Sequence, residues 1–418
     1  MTGHILIWSI SALSIALMLL RPFGVPEVVW TASGALLLCA LRLIPLHLAG
    51  HAVAEGLDVY LFLTGMMLLS ELAKEHGVFE WLASIAVSRG DGSPVRLFTL
   101  IYAVGTVVTI FMSNDATAVV LTPAVLAAVK RARASPLPYL LTCALIANAA
   151  SFVLPISNPA NLVVFHAAMP PLVRWLRMFA VPSVVSIVVT YGLLLLFCRK
   201  QMKEPCAGSK TVTSLSGPGK ISLFGILSVA AVLLVASAFK ADLGLPACVA
   251  SVVIAGIVLI RERRSPLHLV REISWNVLPL VAALFVIVEA VKSAGALSML
   301  HTALVHAIEW PSAASAFAVA GLLGFGTDLV NNLPLGLLAG STLQSLPFHP
   351  VLTRAVLIGV DLGPNLSITG SLATILWLIA IRREGLHVSG YQFLKAGIMI
   401  MPITLALTIG AALLFTSH

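Results

Sequence analysis

Apolar residues run along this chain in stretches near twenty, separated by short polar joints. Each stretch is long enough, as a helix, to cross about 30 Å of hydrocarbon. In the first half the pattern predicts spans near 4–20, 27–46 and 57–76, then a helical hairpin with arms near 94–112 and 117–130. A broken span near 136–168 and a last span near 171–198 follow. In the second half the spans fall near 221–240, 244–261 and 274–292, the hairpin arms near 313–330 and 335–346, the broken span near 350–381 and the last span near 390–416. The expectation is an all-α polytopic membrane protein. It reads as a membrane repeat over 1–198, a linker over 199–220 and a second repeat over 221–418. The opening stretch from His4 to Leu20 lacks a basic flank and a small-residue cleavage site, so it reads as a retained span.

Two polar interruptions cut these runs, and each recurs. Ser113-Asn114-Asp115-Ala116-Thr117 is answered by Asn331-Asn332-Leu333-Pro334. Ser157-Asn158-Pro159-Ala160-Asn161 is answered by Gly363-Pro364-Asn365-Leu366-Ser367. Amides and hydroxyls at bilayer depth are costly unless they line a cavity or meet partners. Interrupted helices at matching places in two halves point to a transporter's binding site. A second signal fixes the register of the repeat: E-x-x-K-x-x-G occurs at Glu71-Lys74-Gly77 and at Glu289-Lys292-Gly295. Glu71 lies 43 residues before Asn114, and Glu289 lies 43 before Asn332.

Charge orients the layout. Five crossings per half is odd, so the second repeat is expected to be inverted relative to the first. With the linker in the cytoplasm, only Arg42, Arg174, Arg177, Lys240, Lys292 and Arg354 of the 25 basic residues fall outside. Both termini then face the periplasm of a bacterial inner membrane. Each repeat has five spans plus a hairpin, and the breaks lie at the midplane. The net charge of +8 follows from these loops and marks no nucleic-acid partner. At 59% hydrophobic and 10% charged, with mean hydropathy +1.03, the composition leaves no room for a soluble domain.

Asp115 and Asp361 lie beside the interruptions and Asp328 lies near one. A carboxylate at the bilayer centre costs roughly 2.5–3.5 kcal/mol, so such groups usually serve an ion, a proton or a polar partner. No Lys or Arg accompanies them at the breaks. That suits a neutral hydroxylated solute or a cation better than a dianion. The two Glu–Lys pairs read as helix-stabilising pairs at the interface. The five cysteines are scattered without metal spacing, so no metal site, disulfide framework or cofactor is expected. No nucleophile elbow, Walker A loop or HExxH occurs, which argues against an enzyme and against ATP binding by this chain alone.

Several of these segments resemble the bacterial arsenite/antimonite efflux permeases of the wider ion transporter superfamily. The run that carries the resemblance best extends from Gly359-Val360-Asp361 through Gly363-Pro364-Asn365 and Thr369-Gly370-Ser371 to Trp377. Asn114-Asp115 leading to Leu121-Thr122-Pro123, and Asn331-Asn332-Leu333-Pro334, add to it. Members of that family often carry Asn-Asp-Gly-Ala where this chain has Asn114-Asp115-Ala116-Thr117, and some carry Lys where Asn365 stands. The resemblance implies outward transport of arsenite or antimonite as neutral trihydroxides, in exchange for protons, and a cytosolic arsenite-stimulated ATPase as an optional partner. Such a substrate needs amide, hydroxyl and carboxyl groups, which Asn114, Asp115, Thr117, Asn158, Asn161, Asn332, Asn365 and Thr369 supply. Asp115, Asp361 and Asp328 are the candidates for proton coupling. A sodium- or proton-coupled carboxylate transporter, a passive channel and the membrane subunit of an ATP-driven pump remain as alternatives.

Overall fold

The computed structural model describes residues 2–165, 169–202, 206–207 and 212–415. Its first half contains α1 (Thr2–Leu20), α2 (Glu27–Ala40), α3 (Leu46–Glu55), α4 (Leu57–Glu75), α5 (Val78–Gly90) and α6 (Pro94–Phe111). Next comes α7, built from Asn114–Ala116, a π-helical turn Thr117–Leu121 and Thr122–Arg131. The half closes with α8 (Pro136–Ala149), α9 (Pro159–Val164) and α10 (Leu172–Cys198). The second half repeats the order with α11 (Gly217–Ala238), α12 (Gly244–Glu262), α13 (Leu267–Glu272), α14 (Val277–Val291), α15 (Leu297–Glu309) and α16 (Ser312–Val330). It ends with α17 (Asn332–Gln344), α18 (Pro350–Leu362), α19 (Leu372–Arg383) and α20 (Gly390–Leu414). Eight of the described helices are long and apolar enough to cross a membrane, and α3 with α4 makes a further span bent by 44°. Large apolar side chains such as Leu36, Val188, Phe224, Val252, Leu322 and Leu407 are exposed around the outside, as lipid contact requires.

Four helices, α3, α5, α13 and α15, fall where hydropathy predicted only joints. α5 and α13 are too short to register as spans, while α3 adjoins α4 in the bent span and α15 continues α14 in a single span from Val277 to Glu309. Such helices form because one apolar stripe finds a packing partner, which a span-length window does not report. Of the linker, Lys203, Glu204 and Lys210 lie outside the described residues, as do His166 and the end of the last predicted span. The described part docks on the first half: the Cys206 and Ala207 amides donate to the carbonyls of Gly92 and Ala132 at 3.1 and 2.7 Å.

The two halves exchange helices. The first pair of each half packs on the third span of the other. One cluster joins Ile10, Leu38 and Ala49 of α1–α3 to Val286, Ile287 and Ala290 of α14. Its counterpart joins Leu68 and Leu72 of α4 to Ala255 and Val258 of α12 and Leu269 of α13. Val286 and Ala290 stand 218 positions after Leu68 and Leu72, the same offset that separates the two Glu–Lys pairs. The ends match as well. His4 Nδ1 lies 3.2 Å from the carbonyl of Ala294, while Gly219 packs against the carbonyl of His76, 218 positions before Ala294. Both Glu–Lys pairs form, at 2.8 Å for Glu71–Lys74 and 2.7 Å for Glu289–Lys292.

The α4–α12 contact depends on a missing side chain. A Cβ on Gly65 would stand 2.7 Å from the backbone of Ala247. Gly65→Ala is therefore expected to force two packed backbones apart and cost about 1–3 kcal/mol, seen as a lower unfolding temperature of the purified protein in detergent. An unchanged transition would show that this seam can open freely.

Candidate functional site

Breaking a buried helix frees carbonyls and amides that must find partners. After α8 ends, Asn161 Nδ2 donates to the carbonyls of Ser151 and Leu154 at 2.8 and 3.2 Å. The Leu154 amide donates to Ser157 Oγ at 3.2 Å, and the Trp175 indole donates to the Phe152 carbonyl at 3.1 Å. Asn158 caps α9 by accepting from the Ala160 amide at 3.0 Å. In the second break, Asn365 Oδ1 accepts from Asn148 Nδ2 at 3.0 Å and its Nδ2 donates to the Leu145 carbonyl at 3.1 Å. Ser371 caps α19 in a reciprocal box with Thr374.

The two breaks brace one another through Asp361. Its Oδ2 accepts from Ser151 Oγ at 2.7 Å and its Oδ1 from Asn158 Nδ2 at 2.9 Å. Asp361 is fully buried and lines none of the cavities described below. Asn148 reaches across the same gap, since its Oδ1 lies 3.5 Å from the Ser371 hydroxyl. Neither Asn148 nor Ser151 belongs to an evident motif; each sits at the end of an apolar run, and the only sequence signal is a polar residue beside a break.

At the first hairpin tip the cap is Ser113, whose Oγ accepts from the Ala116 amide at 3.2 Å. That leaves Asn114 and Asp115 free of capping. Thr117 is engaged elsewhere, 2.8 Å from Thr109 Oγ1. At the second tip the cap is Asn331, whose Oδ1 accepts from the Leu333 amide at 3.3 Å. Asn331 holds φ 75° and ψ 152°, a conformation rarely seen outside glycine. It is fixed by its own amide bonding to Thr327 at 2.7 Å and by Nδ2 donating to the Thr369 carbonyl at 3.3 Å. Asn332 is thereby released. Thr369 and Asp328 tie the second tip to the second break: Ser367 Oγ donates to Asp328 Oδ1 at 2.6 Å, and Thr369 Oγ1 to the Asp328 carbonyl at 3.0 Å.

Between tips and breaks lie two adjoining chambers. The inner one, a narrow gap of about 10 Å³, is lined by Asn114, Asp115, Asn158, Asn332 and Ser371 among apolar neighbours such as Leu63, Val281 and Leu333. The outer one, of about 70 Å³, shares Leu63, Asp115, Pro159 and Val277 with it and widens past Ser70 and Glu71 to Glu272. Its mouth is on the side of the linker, where Gly219 meets His76. Among the described residues, no Lys, Arg or Cys lines either chamber. The Asn114 Oδ1 atom is buried with no hydrogen-bond partner, and Asp115 makes no side-chain hydrogen bond among the described residues. Of the residues singled out from the sequence, Asn114, Asp115, Asn158 and Asn332 face this space. Thr117, Asn161, Asn365, Thr369, Asp328 and Asp361 instead hold its walls in place. Asn158 does both, since its Nδ2 and Oδ1 are already bonded to Asp361 and Ala160.

The chain resembles known transporters over nearly its whole length. It is 27% identical over 413 residues to an arsenical pump membrane protein of Yersinia enterocolitica, covering 94% of this chain and 95% of the relative. It is 24% identical over 417 residues to a putative arsenical pump membrane protein of Bacillus subtilis, covering 93% and 94%. Among solved structures, the Alcanivorax borkumensis YdaH transporter shares the fold with TM-score 0.55 at 14% identity, covering 88% of this chain and 86% of that one. The family model described as citrate transporter (CitMHS) matches residues 5–359. With its apolar spans, its lipid-facing surface and that match, this chain is a multi-pass membrane transporter and belongs to the citrate transporter (CitMHS) family.

Proposed function

We propose that this protein exports arsenite and antimonite from the cytoplasm as neutral trihydroxides, in exchange for protons, by alternating access. The observation that carries the reading is the inner chamber: asparagine amides, a serine hydroxyl and one carboxylate, with no cationic side chain among the described residues. A trihydroxide offers three hydroxyl donors, and Asn114 Oδ1, Asp115 and Asn332 offer unused acceptors to meet them. A citrate trianion would meet a carboxylate here and find no guanidinium or ammonium to balance it. The relatives named as arsenical pump membrane proteins support the same substrate. The absence of thiols from the chamber fits transport, because release must follow binding.

In this scheme Asp115 carries the proton. As an anion it accepts strong hydrogen bonds from the bound trihydroxide; once protonated, one oxygen becomes a donor and the other a weaker acceptor, so proton and substrate compete. Asp361 holds the two breaks at fixed distance. The basic loops support a cytoplasmic linker and periplasmic termini in an inner membrane. The shared helix order and the 218-residue offset support two repeats of inverted topology. A cytosolic arsenite-stimulated ATPase docking on the linker side would convert the same pore to an ATP-driven pump.

The test is arsenite tolerance in a sensitive bacterial strain. The wild-type chain should restore growth, while Asn114→Ala and Asn332→Ala should lose most of that protection at equal membrane abundance. Each removes an amide from the chamber, worth about 1–3 kcal/mol, or roughly 5- to 150-fold in affinity. Unchanged sensitivity with well-expressed wild type, or sodium-stimulated citrate uptake into proteoliposomes, would overturn the substrate assignment.

A further inference from the structure

The duplicated Glu–Lys pair is treated differently in the two halves. Glu71 lines the outer chamber with its side chain 15% exposed, while Lys74 reaches outward at 47%. The carboxylate thus faces the route to Asp115 and its ammonium partner stands toward the solvent. Glu289 and Lys292 make the same bond 218 positions later, yet neither lines a chamber. There α3 packs along α14, and His4 and Trp8 of α1 bond to the Ala294 carbonyl at 3.2 and 3.4 Å. The space left on that side is an apolar slot lined by Trp8, Val288, Val291 and Pro334. On the open side the corresponding short helix, α13, forms the far wall of the chamber with Glu272 and Ile273.

From this asymmetry we propose that Glu71 is a specificity-determining residue at the mouth of the linker-side vestibule, and that Glu289 does the same for the opposite vestibule in the alternate state. Each carboxylate gives its entrance a negative inner lip, which repels small anions and admits neutral solutes. Replacing the carboxylate by an amide while keeping the lysine changes the pair from neutral to net positive and reverses that preference. The proposal rests on the alternating-access reading for the second half of its claim, and on geometry alone for the first.

Ser70 lines the outer chamber beside Glu71, and Val288, 218 positions on, lines the apolar slot beside Glu289. Ser70→Cys and Val288→Cys are therefore reporters that leave both pairs intact. In sealed vesicles of defined orientation, membrane-impermeant cationic and anionic thiol reagents are applied from one side at a time, with the unsubstituted protein as background. Ser70→Cys should react from the linker side, faster with the cationic reagent. Glu71→Gln should lower that cationic-to-anionic rate ratio by about tenfold. Glu71→Gln/Lys74→Met should bring it to an intermediate value, which separates a charge effect from a misfolded variant. Val288→Cys should react only from the opposite side and only during arsenite turnover, with a ratio that Glu289→Gln lowers and Glu71→Gln does not. A Ser70→Cys ratio indifferent to Glu71→Gln overturns the first assignment. Val288→Cys staying inert during measured arsenite flux, or reacting from the linker side, overturns the second. A wild-type protein that moves no arsenite sinks the substrate reading instead, and leaves the Ser70→Cys comparison to stand or fall by itself.

Discussion

Everted vesicles carrying Asp115→Asn are expected to show no pH-driven accumulation of arsenite. In such vesicles the cytoplasmic face points outward and respiration acidifies the lumen. In the proposed exchange, protons leaving the lumen draw arsenite in. A one-for-one exchange supports about tenfold accumulation for each pH unit, because each unit is worth about 1.4 kcal/mol. Asn is nearly the same size as Asp and keeps an acceptor oxygen, but it cannot take up and release a proton. Asp115 is the carboxylate that both chambers share, and its side chain makes no hydrogen bond among the described residues. The variant should therefore still exchange labelled for unlabelled arsenite down its gradient, which separates lost coupling from lost folding. Full tenfold accumulation per pH unit in Asp115→Asn would move the coupling to another group.

Asp361→Ala should damage the protein rather than uncouple it. It strips the acceptor from Asn158 Nδ2 in a site fully shielded from water, and leaves Ser151 Oγ only the Asn148 carbonyl at 2.7 Å. The orphaned amide costs about 1–3 kcal/mol. Asp361→Asn keeps one acceptor oxygen and turns an amide toward the other donor, which predicts about half that loss. Thermal unfolding in detergent should rank wild type above Asp361→Asn and Asp361→Ala last. Equal unfolding temperatures for all three would remove Asp361 as the brace between the breaks. Asp361 is bonded and walled in, whereas Asp115 faces a cavity without a side-chain hydrogen bond among the described residues.

Much of this was legible in the sequence. A stretch of twenty apolar residues allows little but a crossing helix, since lipid leaves no other way to satisfy its backbone. The long spans lie where hydropathy placed them. The tips and breaks lie where polar residues interrupted the runs, and Glu–Lys pairs form at the predicted spacing in both halves. The short helices α3, α5, α13 and α15 were not legible, because their apolar faces have meaning only against a neighbour. The exchange of helices between halves was also hidden: Gly65 reads as one more small residue until the Ala247 backbone stands beside it.

The site divides the same way. Residue type along the chain marked the neighbourhood of the tips and breaks, because unpaired amides and carboxylates cannot stay in hydrocarbon without a purpose. It did not distinguish Asn114, which faces the chamber with an unpaired oxygen, from Asn161, whose amide props up the break. One residue along a helix turns a side chain by about 100°, so neighbours in sequence point at different walls. Which wall a given amide meets depends on partners some two hundred positions away, as Asn148 meets Asn365 and Asn158 meets Asp361. The sequence alone determined that this is a membrane transporter with polar breaks at its centre, since solvation by lipid is a local constraint. Only the tertiary structure decided which of those polar groups are spent on holding the breaks and which are left for a ligand, since hydrogen bonds between distant segments are not.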